Sequence, residues 1–330
     1  MDRFAKARDR GCAYLLTQLH DDGSFGDLEA GVLDYYKVPS AFVVCGESSA
    51  ASRLCSWLRT HGMTSEGDYG PRPKTPYDYA YVYFNSWTII GAHRLGQFDV
   101  SQRGMDFLMD FWDPESGGFY SSPTERSAFT MQDLWITSGA GQAALYTGRM
   151  DAALGVGRWM NTLMRGQPNF PKQLFGVYSR SRGVITEPDP EDEFRYVLNY
   201  DAQKDEPFYN PGIAAGFLAR LYQATGERQW LDLAEEYMTF TDNASDYLFR
   251  LLRAGKVAWA SSVLYTLTGR QKYRDTTIRV GDNLIATQKE DGSWHGIADM
   301  ADEPNNDITA ELVVWLDEVH QAVGGARARG

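Results

Sequence analysis

Two nine-residue stretches near opposite ends of the chain say nearly the same thing. "QLHDDGSFG" runs from Gln18 to Gly26, and "QKEDGSWHG" from Gln288 to Gly296. Each has Gln, a short polar gap, Asp-Gly-Ser and an aromatic ring. An internal repeat constrains a fold more than any single motif, because each repeat must bury its apolar face against the next. "RGCAYLLTQLHDDGSFG" from Arg10, "RGMDFLMDFWDPESGGFY" from Arg103 and "RVGDNLIATQKEDGSWHG" from Arg279 align on a basic residue, a Gly and a terminal Gly-aromatic turn. Weaker echoes stand at Gly157 and Thr64. The spacing fits a unit of about 45 to 50 residues.

After each turn comes a small-residue-rich, apolar helical stretch. "PSAFVVCG", "AYVYFNSWTIIGAHRLG", "MQDLWITSGAGQAALYTG", "PGIAAGFLARLYQATG", "RAGKVAWASSVLYTLTG" and "ITAELVVWLDEVHQAVG" are apolar on most faces, which predicts helices buried on both sides. Gly46, Gly96, Gly148, Gly226, Gly269 and Gly324 are expected to stop them. Amphipathic, more charged helices alternate with them and suit an outer ring. The expectation is an all-α fold over residues 1–330: one (α/α)6 toroid of inner and outer helices, closed on itself. The segment 170–209 breaks the rhythm. Alternation in "LFGVYSR" and "FRYVLNY" predicts a β-hairpin insertion, either a surface loop or a flap over one mouth of the cavity.

The Gln/Gly/aromatic repeat resembles the QW motif of the squalene cyclase and protein prenyltransferase superfamily, carried here by Arg10–Phe25, Arg103–Phe119 and Arg279–Trp294. The resemblance implies an α/α toroid in which Gln18, Phe25, Gln288 and Trp294 are architectural rather than catalytic. It also implies terpenoid-type chemistry, but that family's motifs are missing. D-x-D-D, D-D-x-x-D and a zinc-binding Asp, Cys and His set are absent, and "NNDITAE" (Asn305 to Glu311) offers only Asp307 at the corresponding place. No metal or other cofactor is expected.

The formal net charge of -12 argues against nucleic acid or an anionic membrane surface as partner, since both demand positive potential. The N-terminus has no apolar leader and no apolar run reaches membrane-span length, so a cytoplasmic protein is expected. Cys12, Cys45 and Cys55 stand in apolar contexts and read as free buried thiols. The expected partner is a small-molecule substrate; a homo-oligomer is left open. The five His form no metal or triad signature, and the His pairs of the toroidal N-acyl sugar epimerases are absent.

In such a toroid the junctions leading into the inner helices line one cavity. Tyr and Asp recur at nearly every junction: Asp34, Asp78, Asp133, Asp201, Asp246 and Asp307. Each alone could be a helix N-cap. Asp34, in "DYYK", and Asp78, flanked by Tyr77, Tyr79, Tyr81 and Tyr83, are the leading acid candidates, with Tyr35 and Asp307 beside them as catalytic candidates. Tyr36, Tyr79, Tyr81, Asp133, Trp135, Tyr209 and His295 are the expected substrate contacts.

Three functions fit these residues. The first is metal-independent acid/base chemistry on a hydrophobic, terpenoid- or polyketide-like molecule: isomerisation, cyclisation or dehydration. A buried carboxyl would supply the proton, and rings would stabilise a cation by ~0.5–2 kcal/mol each. The second is a carbohydrate-active toroid, an inverting glycosidase or a lyase, using the same carboxylates and rings. The third is a non-catalytic binder of a small molecule or peptide.

Overall fold

The structure is a computed structural model and describes residues 2–74, 78–296 and 303–325. Tyr77 lies outside the described residues. Among the described residues, twelve helices of seven residues or more alternate between two rings. The inner ring is α2 (Val38–Val44), α4 (Tyr81–Arg94), α6 (Leu134–Thr147), α8 (Tyr209–Thr225), α10 (Gly255–Thr268) and α12 (Asn306–Gly325). The outer ring is α1 (Asp2–Thr17), α3 (Ser48–Trp57), α5 (Phe98–Met109), α7 (Met150–Arg165), α9 (Arg228–Asn243) and α11 (Gln271–Thr287). Each inner helix packs on the next, α12 packs back on α2, and α1 packs on α12. The toroid therefore closes through its first and last segments.

Composition explains which helix goes where. In α4, every residue from Val82 to Ala92 is buried, so no stripe is left for water. In α7 the buried positions, among them Ala152, Val156, Trp159 and Leu163, make one apolar stripe and the rest is polar. Small residues let inner helices approach backbone to backbone: a Cβ at Gly212 of α8 would sit 2.4 Å from the Lys256 carbonyl carbon of α10. Gly46, Gly96, Gly148, Gly226 and Gly269 end inner helices with positive φ. Gly324 differs from the expectation: α12 runs through it to Gly325.

The repeated turn has a structural reason. Gly292 has φ +92°, and a Cβ there would lie 2.4 Å from the Arg10 carbonyl oxygen on α1. Only Gly both adopts that backbone and tolerates that approach. Gln288 donates to the carbonyl oxygens of Ala7 (2.9 Å) and Gly292 (2.8 Å) and accepts from Arg10. Trp294 is fully buried, with its ring against Gly11 of α1. Tyr69 makes the same contact on Gly104 of α5. Gly11 and Gly104 are thus the seats for a neighbouring unit's ring, whereas Gly281 of the third unit packs on Phe4 and Val319.

The 170–209 insertion pairs β2 (Gln173–Phe175) with β5 (Val197–Asn199), antiparallel with Leu174 opposite Leu198. That is the expected hairpin, with two differences. Glu193–Tyr196 forms a helical turn rather than strand, and β3 (Val177–Ser179) turns away at Gly176. There β3 joins β4 (Gly183–Val184) and β1 (Gln132–Asp133), the lead-in to inner helix α6. The insertion is thereby fastened to an inner-helix start. Cys12 and Cys55 are buried free thiols, and Cys45 is only half-buried. Among the described residues no helix is long and apolar enough to cross a membrane.

Candidate active site

All six inner helices start at one end of the toroid, and each delivers a side chain to its centre within its first two turns or the residue just before. Lys37 precedes α2, Tyr83 and Trp87 lie on α4, Trp135 on α6, Tyr209 on α8, Lys256 on α10, and Asp307 and Glu311 on α12. Lys37 Nζ lies 2.7 Å from Asp307 Oδ1 and also bonds Glu311 Oε2. Lys256 Nζ bonds the other oxygen of Glu311, which further accepts from Trp315 Nε1 at 3.0 Å. The result is a charge-balanced quartet of two ammonium groups and two carboxylates.

Aromatic rings wall it. Lys37 Nζ is 4.9 Å from the Tyr36 centroid and 5.8 Å from that of Trp87. Lys256 Nζ is 5.5 Å from Tyr209 and 5.9 Å from Tyr83. Trp315 stacks on Trp259 with centroids 4.9 Å apart and closes the floor. Lys37, Lys256 and Glu311 are buried, whereas the Asp307 side chain keeps 28% of its surface exposed. Asp307 is the solvent-facing member of the quartet.

Burial sets the electrostatics. It works against the Lys37 ammonium, but Asp307 and Glu311 outweigh it and hold the pKa well above the ordinary lysine range. At Lys256 burial wins, with Lys37 adding repulsion against the pull of Glu311, and the pKa falls to about 8. Burial pushes the Glu311 carboxyl up, but Lys256 and Lys37 overcome it and hold it well below the usual carboxylate range. Burial raises the Tyr83 phenol well above its normal value, against the lowering effect of the Trp135 and Trp87 indoles beside it, and its hydroxyl proton finds no acceptor among the described residues.

Asp34 stands at the rim. Its Oδ2 accepts from Asn306 Nδ2 (3.0 Å) and from the Asp27 N–H (2.9 Å), which leaves Oδ1 as the place for a proton. Burial raises its pKa against those two bonds, and the charge of Asp307 adds to the rise. Tyr36, Trp135, Tyr209 and Asp307 meet around the quartet at the centre of the toroid. Asp133 and Tyr79 lie next to it: Arg195 of the insertion binds Asp133 bidentately at 2.8 and 2.7 Å and covers the Tyr79 ring at 4.2 Å.

Other expected residues lie elsewhere. Tyr35 points to the outer ring, donating to the Gly70 carbonyl at 2.7 Å with its edge against Trp57. Asp78 is exposed and shares a cleft with Lys74, Tyr81 and Phe84; Tyr81 donates to Asp68 beneath the Arg72 guanidinium. His295 belongs to the closing turn, bridged to Pro304.

Sequence reading missed Lys37, Lys256, Glu311, Tyr83 and Arg195 as site residues. A signal was present for two of them. Lys256 is the only charge in the otherwise apolar "GKVAWASSVLYTLT", and Glu311 follows Asp307 by four residues, on the same helix face.

No protein-family model matches the chain, and no curated protein is significantly similar to it in sequence. Solved structures are similar in fold. The crystal structure of D-mannose isomerase has a TM-score of 0.71 at 14% identity, over 96% of this chain and 97% of that one. The unsaturated glucuronyl hydrolase specific for heparin has a TM-score of 0.67 at 11% identity, over 98% of each chain. The GH76A alpha-1,6-mannanase from Salegentibacter sp. HEL1_6 has 0.67 at 11% identity, over 97% of this chain and 99% of that one. At these identities the likeness establishes the fold, an α/α toroid shared with carbohydrate-active enzymes.

Proposed function

We propose that the chain is a carbohydrate-active enzyme that moves a proton next to a sugar carbonyl, in an isomerisation or elimination through an enediolate-type intermediate. One observation carries this: a phenol whose proton has no acceptor among the described residues is buried beside two ammonium groups, inside a cluster of aromatic rings. Buried donors without acceptors are costly unless function supplies the acceptor. A developing oxyanion is such an acceptor, and fixed cations in a dry site stabilise it strongly. Asp307 is the base, reached from solvent and oriented by Lys37. Lys256 and Tyr83 face the oxyanion, and Glu311 positions both lysines. The rings supply apolar surface for the sugar's C–H faces.

The same geometry speaks against the terpenoid expectation. The ring faces that would stabilise a carbocation already hold Lys37 and Lys256. A carbocation would have to displace these ammonium groups from the ring faces or lie beside them, and like charges at that range repel. The neighbours point the same way, being an isomerase and two sugar hydrolases by name.

A second reading, glycoside hydrolysis, is favoured by Asp34. A carboxyl with a raised pKa and one unbonded oxygen is the proton donor such a reaction needs, with Asp307 as its charged partner.

Incubation with aldoses, uronates, α-1,6-mannotetraose and an isoprenoid alcohol, with products resolved by chromatography, separates the cases. The proposal predicts a ketose or unsaturated sugar. Shorter sugars alone would move the assignment to the hydrolase reading. Turnover of the isoprenoid alone would overturn both.

A further inference from the structure

To one side of the buried quartet, the structure has an open cleft of about 300 Å³, lined by Ser121, Ser122, Glu125, Ser127, Phe129 and Arg195 among others. We infer that this cleft binds a further neutral sugar residue, so that the substrate is an oligosaccharide whose terminal ring reaches the quartet. The inference rests on the carbohydrate reading above and deepens it.

The cleft carries the three elements a sugar requires. Its apolar element is Phe129, 75% exposed, the most exposed large apolar side chain described. A ring held in water offers a stacking face for the C–H side of a pyranose.

Its donors are two hydroxyls already fixed by backbone N–H groups and one guanidinium. Ser122 Oγ accepts from the N–H groups of Thr124 and Glu125, and Ser121 Oγ accepts from the Asp133 N–H. Each hydroxyl still has its own proton to give. Arg195 binds Asp133 through Nε and Nη2, which leaves Nη1 without a hydrogen bond among the described residues.

Its acceptor is the exposed Glu125 carboxylate. One carboxylate and one guanidinium in a single cleft suit adjacent hydroxyl groups, one receiving and one donating. Because Asp133 already neutralises Arg195, the Glu125 carboxylate leaves the cleft negative, which suits a neutral ligand and disfavours an anion.

A run of packed rings also links the cleft to the quartet. Arg195 lies 4.2 Å over Tyr79, Tyr79 meets Trp135 at 6.2 Å, and Trp135 meets Tyr83 at 4.5 Å. This line of faces leads from Phe129's cleft to the Tyr83 phenol. It uses Tyr79 and Trp135 for a role that the proton transfer itself does not require.

The test is calorimetric titration of the full chain with matched pairs of sugars: mannose and α-1,6-mannotetraose, glucose and maltotetraose, xylose and xylotetraose. The inference predicts that for one pair the tetrasaccharide binds at least about tenfold more tightly than its monosaccharide. Phe129→Ala removes that difference and leaves monosaccharide affinity unchanged. Because Phe129 is exposed, the variant is expected to fold, and its circular dichroism spectrum checks this. Equal affinity of both members of every bound pair, or an unchanged difference in Phe129→Ala, overturns the second site alone. Binding of none of the six sugars overturns the carbohydrate reading and this inference with it.

Discussion

Lys37 and Asp307 form an ion pair 2.7 Å long between the segment that opens the first inner helix and the first turn of the last. The pair lies at the seam where the ring closes. Residues 270 positions apart thus form one site only when the toroid is complete. A chain whose seam opens loses its site as well as its closure.

Glu311 is the member of the quartet whose loss is hardest to tolerate. It alone bonds both lysines, and all three are buried. Glu311→Gln leaves two neighbouring ammonium groups with half their counter-charge. Breaking such a buried network by removing one partner costs about 3–5 kcal/mol. Urea denaturation at pH 7 measures this. The sign with pH follows from the depressed carboxyl. Its contribution is complete above the unfolded value of roughly 4.3 and declines as pH falls below it toward the folded value. The stability gap between wild type and Glu311→Gln is expected to narrow with acid below that point.

Asp34 titrates in the opposite sense. Its folded pKa is raised, so the native state keeps a proton that the unfolded chain gives up. Wild-type stability therefore declines as pH rises from the unfolded value of roughly 3.9 through the folded one. Asp34→Asn removes that loss, and the amide oxygen can still accept from Asn306 and the Asp27 N–H. The variant is expected to be more stable than wild type at pH 7 and no more stable near pH 3. Thermal melts at the two pH values check it.

Lys256 sets the alkaline limit of activity. With a pKa of about 8, it gives up the ammonium that faces the oxyanion as pH rises through that value. Turnover is expected to fall above pH 8. Lys256→Arg keeps its charge far beyond this range. In that variant the alkaline limb disappears, even where the altered geometry lowers the maximal rate. A full pH–rate profile of both proteins decides the point.

The closing turn tests the architecture apart from chemistry. Gly292→Ala places a Cβ 2.4 Å from the Arg10 carbonyl oxygen, on a backbone with φ +92°. Left-handed strain and overlap together cost about 3 kcal/mol. Gly269, also at positive φ, has nothing within 4 Å of its Cβ position, so Gly269→Ala loses only the strain term. Denaturation midpoints of the two variants should fall in that order.

The double ring was legible because its physics is periodic. Helices apolar on most faces alternate with helices apolar on one, and a Gly-aromatic turn returns between them. The recurrence of Asp and Tyr at the inner-helix starts was legible too, and it pointed to the end where the quartet lies. Which neighbour faces inward was not. Tyr35 and Tyr36 are adjacent, but about 100° separates successive residues on a helical turn, so Tyr36 reaches the quartet and Tyr35 the outer ring. Lys256 was hidden because a lone lysine carries no partner in its own segment. Its partner Glu311 is 55 residues away and adjacent only after closure. Arg195 was hidden for the same reason, since it reaches Asp133 from an insertion outside the repeat.

The most direct test of the proton-transfer account is solvent deuterium uptake. The full chain is incubated in D2O with the sugar it turns over, and proton NMR follows the hydrogen on the carbon beside the carbonyl. The account predicts loss of that signal in step with product, abolished in Asp307→Asn and slowed in Lys256→Met. Product formation with that hydrogen fully retained, or exchange unaffected by Asp307→Asn, would contradict it.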